Sequence, residues 1–166
     1  PFFCFLMMSS SPLFSDCTAI IVGKKATKDG SVIVSHTDCC PNSRIHVVPA
    51  QEFQKGAKAP VYWGIQELGR PLHDYGEIIG YIPQVEKTYA YIHSGYPHIN
   101  EHQLAIGEST IIQRPECAAI RGKGAKQIMT VEQAMLFALQ RGKTAEEAWE
   151  LITHLLEKYG FLSSCC

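Results

Sequence analysis

A thiol at Cys17, in the stretch SDCTAIIVGKK, and a histidine at His36, in SVIVSHTD, are the residues whose types most readily do chemistry in this sequence. A cysteine attacks as its thiolate, and a free thiol with a pKa of about 8.5 needs a base or a cation beside it. One base is built into the residue itself. A cut before Cys17 would put a new α-amino group, with a reference pKa of about 7.7 to 8.0, on the same residue as the thiol. That amine can take the thiol proton and later return it to a leaving group, the arrangement of N-terminal nucleophiles. The other base is His36, which would make a Cys17–His36 dyad, the second mechanism. His36, Cys39, Cys40 and His46 match no structural zinc spacing, so a metal site is the weaker reading.

These residues must be positioned by a chain of 166 residues that is 46% hydrophobic and 19% charged, an ordinary composition for one globular domain. The net charge of −1 comes with no basic tract, which argues against nucleic acid and against an anionic membrane surface and leaves a small molecule as the expected partner. The seven cysteines are odd in number and include no CxxC pair, so neither a disulfide framework nor a zinc ribbon is expected.

The opening PFFCFLMMSSSPLFSD has an apolar block followed by serines and reads as the tail of a secretory leader, too short to span a bilayer. Residues 1–16 are therefore expected to be a leader or propeptide remnant, with a secreted or lumenal protein as the consequence and a cytoplasmic one as the alternative. TAIIVG and SVIVS read as strands joined through Asp29 and Gly30. Ile45, Val47 and Val48 suggest another strand, and residues 50–80 read as irregular. EKTYAYI (86–92) and QLAIGES (103–109) are expected to form a second strand pair around a loop, HSGYPHINEH. Two helices follow. Thr130 opens one, with Val131, Ala134, Met135, Ala138 and Leu139 on one face, and Thr144 with Glu147 forms a capping box for the other. Its buried stripe runs Ala148, Leu151, Ile152, Leu155, Leu156 before Gly160 ends it. Strands followed by a helical pair predict a layered α+β fold with antiparallel sheet.

CTAIIVGKKATKDGSVIVSHTD from Cys17, YAYIHSGYPHINEHQLAIGEST from Tyr89, and the helical pair ending in LLEKYG resemble the secernin-like dipeptidases, cysteine peptidases of the N-terminal nucleophile class. The likeness runs from Asp16 to about Gly160 in one order. It implies an N-terminal nucleophile hydrolase αββα four-layer sandwich and hydrolysis of dipeptides with no cofactor and no metal. It also implies roles: Cys17 as nucleophile, Asp38 as the acid that orients the terminal amine, and Asn100 as an oxyanion donor. Glu101 or Glu108 is then a candidate for binding the substrate's ammonium group.

Members of that family are several hundred residues long, so residues 17–160 are expected to be the N-terminal portion of the domain and 161–166 an atypical tail. Low activity is expected of such a portion alone. The rival reading is a non-catalytic binding module in which Cys17 is a buried strand thiol.

Overall fold

The computed structural model describes residues 18–37, 44–63, 75–109 and 114–162. Burying polar side chains costs free energy unless they find partners, and α1 (Val131–Arg141) buries two of them in its first turn. Residues 132–139 are all buried, Glu132 and Gln133 among them. The Gln133 side-chain oxygen accepts from the Tyr62 amide at 3.1 Å. Thr130 caps the helix as expected, its hydroxyl oxygen accepting from the Gln133 amide at 3.4 Å.

The second helix, α2 (Ala145–Tyr159), packs on α1 through Ala148 and Leu155, with Ile152, Leu156 and Tyr159 partly buried beside them. Its other face, including Trp149, is exposed. The Thr144 hydroxyl accepts from the Glu147 amide at 3.2 Å. The Glu147 carboxylate reaches back to the Lys143 amide at 2.7 Å, one residue earlier than a capping box requires. Gly160 ends the helix with φ 69°, a left-handed value that glycine adopts without strain. The chain then stays in the core. Leu162 is buried, and its amide donates to the Met129 carbonyl at 2.9 Å.

Nine strands lie among the described residues, and every strand pair is antiparallel. β1 (Thr18–Val22) and β2 (Ile33–Thr37) form the first hairpin. Its turn holds Asp29, whose carboxylate accepts from both the amide and the hydroxyl of Ser31. β3 (His46–Val48) pairs with β8 (Tyr91–His93), which pairs with β9 (Pro97–Asn100). β4 (Gln51–Glu52) pairs with β7 (Lys87–Thr88), and β5 (Lys58–Trp63) with β6 (Glu77–Pro83). The core gathers Ala59, Val61, Ile82 and Tyr91 from the strands against Leu136, Phe137 and Leu139 of α1.

The antiparallel α+β expectation holds, while two local expectations are corrected. Residues 50–80 are not irregular throughout, since they carry β4, β5 and the start of β6. The partner of β8 is not QLAIGES but β9, which lies inside the stretch read as a loop. QLAIGES runs extended beside β9 and makes one bridge, Ala105 to Ile99. The reason is geometric: the turn at Ser94–Tyr96 is tight enough for Pro97–Asn100 to return on β8, which occupies that edge first.

His93 sits in this core at 2% exposure, with the His46 ring centroid at 5.2 Å, Tyr75 at 6.0 Å and Tyr91 at 6.1 Å. Burial first, and then the proximity of His46, push its pKa down to about 4. An unfolded histidine binds its proton near pH 6.5, so the stability this neutral ring contributes is whole above that value and is lost as pH falls toward 4. Urea unfolding should show a decline of about 3 kcal/mol across that window from this group. A His93→Phe variant should flatten it.

Candidate active site

The ladder of the first hairpin ends with Thr18 opposite Thr37, and the Thr37 hydroxyl accepts from the Thr18 amide at 3.0 Å. These are the neighbours of Cys17 and Asp38, which themselves lie outside the described residues, as do Cys39 and Cys40. Side chains alternate along the hairpin. Val34 and His36 of β2 are half-buried, while Ile33, Ser35 and Thr37 are exposed. The inner face is therefore the one that carries His36, and it lies on the segment after β9. A Cβ at Gly107 would stand 3.0 Å from Val34 Cγ1 and 3.8 Å from His36 Cβ, so hairpin and segment approach each other closely at this glycine.

His36 is engaged at both ring nitrogens. Its Nδ1 accepts from the Glu108 amide at 3.4 Å, and its Nε2 lies 3.4 Å from His98 Nδ1. His98 Nε2 is in turn 2.6 Å from the Ser94 hydroxyl. Burial, then the His36 charge, hold the His98 pKa below its ordinary value. Neither Ser94 nor His98 stood out in the sequence. The signal was present as a serine and a histidine on either side of the tight SGYP turn, which sets the two side chains facing each other.

Asn100 is buried at the end of β9. Its two amide hydrogens go to the Leu139 carbonyl at 2.9 Å and the Gly142 carbonyl at 2.7 Å. Its side-chain oxygen accepts from the His102 and Leu104 amides at 3.0 and 3.1 Å. An oxyanion donor must have a hydrogen to give, and in this arrangement both are engaged. The side chain joins β9, the turn after it and the end of α1.

Of the two ammonium candidates, Glu101 is exposed, and its carboxylate accepts from the Ala90 amide at 3.3 Å across the turn. Glu108 is buried, next to Gly107 and directly beneath His36. The structure thus brings His36, Glu108, Ser94 and His98 together, with Asn100 at the far end of β9. Among the described residues no group of three or more His, Cys, Asp or Glu is arranged to hold a metal ion. Among the same residues no helix is long and apolar enough to cross a membrane.

No solved structure matches the chain. The model of Peptidase family C69 matches residues 16–165. Its match begins one residue before Cys17 and takes in the hairpin, the β8–β9 turn and both helices, and the chain belongs to this family of peptidases.

Proposed function

We propose that the protein is a cysteine-type dipeptidase that uses Cys17, freed as the N-terminal residue of the mature chain, as both nucleophile and base. The observation that carries this reading is the match to the peptidase family, which begins one residue before Cys17; in the sequence Cys17 and Asp38 directly flank Thr18 and Thr37, which pair in the ladder. A carboxylate there would orient the terminal amine and favour its protonated form after each transfer.

The state of His36 favours the amine over the dyad. A histidine that accepts an amide hydrogen at Nδ1 and faces another ring at Nε2 has no nitrogen left to take a thiol proton. The Cys17 amine therefore removes the Sγ proton, and the thiolate adds to the scissile carbonyl. Collapse of the tetrahedral adduct expels the second residue's amine, which takes that proton, and leaves a thioester on Cys17. Water, deprotonated by the same amine, then hydrolyses the thioester and frees the first residue.

A dipeptidase must also recognise the substrate's free ammonium group. Glu108 suits that role better than Glu101, because a buried carboxylate pairs with a cation in a lower dielectric than an exposed one does. The αββα sandwich, the secreted location and the cleavage before Cys17 all belong to this proposal.

Intact mass and N-terminal sequencing of the protein made through a secretory pathway are expected to show a mature species beginning at Cys17. Cys17→Ala should abolish dipeptide turnover with the fold retained, whereas retention of Asp16 in an active enzyme would sink the amine mechanism. Glu108→Gln should raise KM by about tenfold or more with kcat changed much less, since the ammonium contact is made equally in ground and transition states. Asn100→Ala is expected to cost stability first, about 3 kcal/mol by chemical denaturation, because it strips partners from four backbone groups, three of them in the buried residues Leu104, Leu139 and Gly142.

A further inference from the structure

The four groups Glu108, His36, His98 and Ser94 form a chain of hydrogen bonds whose direction is set by its first member. A backbone amide can only donate, so His36 Nδ1 must carry a lone pair. Neutral His36 therefore holds its hydrogen on Nε2 and gives it to His98 Nδ1. His98 is then also protonated on Nε2 and gives that hydrogen to the Ser94 hydroxyl oxygen. Every bond in the chain is satisfied, and there is no vacant acceptor on either ring.

A further proton has nowhere to go without breaking a link. On His98 it would have to enter at Nδ1, head-on against the His36 N–H. The two rings also lie with centroids 5.5 Å apart, where two positive charges would repel each other.

The chain also joins two parts of the fold. His36 is on β2, in a hairpin whose residues Ile20, Ile21, Val32 and Ile33 are exposed, while Ser94 is in the β8–β9 turn and His98 on β9, which pairs with the core strand β8. Among the described residues, Val34 and His36 also pack on Gly107, and the edge of the Tyr96 ring lies 6.2 Å from His36.

We propose that this chain is a latch, with His98 as its positioning residue: it holds the β1–β2 hairpin on the body of the protein while His98 is neutral and releases it in acid. Among the described residues, the titratable groups around the pair are Tyr96 and Glu108, with His93 behind His98. The lowered pKa of His98 agrees with a ring that resists its second proton. The consequence for catalysis, an acid limb set by nucleophile placement and not by the nucleophile's own titration, rests on the Cys17 reading. The latch itself does not.

The test is NMR of the intact chain at about pH 7.5 and about pH 5, without substrate, so its outcome is separate from that of the peptidase assay. Long-range proton–nitrogen correlations are expected to show both His36 and His98 as Nε2–H tautomers at the higher pH. The backbone heteronuclear NOEs of Thr18–Val22 and Ile33–Thr37 should match those of α1 there and fall below them at the lower pH. His98→Phe should free the hairpin at both values. His98→Gln, whose amide can accept from His36 and donate to Ser94 without titrating, should keep it docked at the higher pH and shift its release to more acid conditions. An Nδ1–H tautomer on either ring would overturn the latch. So would a hairpin equally ordered at both pH values, a His98→Phe hairpin as ordered as the wild type, or an α1 that loosens together with the hairpin.

Discussion

The C-terminal turn of α1 packs against the strands, and its last carbonyl groups, which have no partner within the helix, must be satisfied from outside it. Each described partner comes from a different place. The Gly142 amide takes the Ala138 carbonyl at 2.8 Å, the Tyr89 amide takes that of Gln140 at 2.9 Å, and Asn100 takes those of Leu139 and Gly142. Arg141 turns the other way, lying over the Phe137 ring and donating to the Pro83 carbonyl at the end of β6. The helix end is thus the point at which β6, β7 and β9 are fixed relative to one another. The last turn is satisfied partly by its own cap and partly by strands and turns, so the helix end and those strands stabilise one another.

The first hairpin obeys a different physics. It holds itself together by its own ladder and by the Asp29 turn, and it buries little against the rest of the chain. What it presents to the body is one face of β2, with Val34 against Gly107 and the polar His36 beside it. Apolar area would give more binding energy, but it would not define an orientation as two directional ring contacts do. The residues next to the candidate nucleophile are therefore placed by hydrogen-bond geometry more than by packing.

How much of this was legible in the sequence follows the range of the interactions. Both helices were, because their signals are local: the hydroxyl caps of Thr130 and Thr144, the apolar spacing, and the Gly160 stop all act within one or two turns. The first hairpin was legible for the same reason. β5 and β6 were hidden because Pro60 and Gly80 break the alternating pattern, yet the pairing tolerates both: Pro60 lies opposite Tyr81, and Gly80 lets Ile128 lie against the strand. β9 was hidden by Pro97 at its first residue. For the site, the sequence pointed to Asn100 as a residue of consequence, but its partners lie 39 and 42 positions away, and no local pattern encodes them. The pairing of His36 with His98, 62 positions apart, is hidden in the same way.

The position of α1 in the chain also bears on how the protein is made. The hairpin at residues 18–37 needs nothing beyond itself to pair, whereas Ala59, Val61, Ile82 and Tyr91 stay uncovered until residues 131–139 have been synthesised. At about 5 to 20 residues per second on the ribosome, that delay is of the order of several seconds. Throughout it, the nascent chain carries exposed strand edges and half of a core. The segment bearing the candidate chemistry is complete before the helix that covers the core strands, so this chain offers a long interval in which chaperones can act on it.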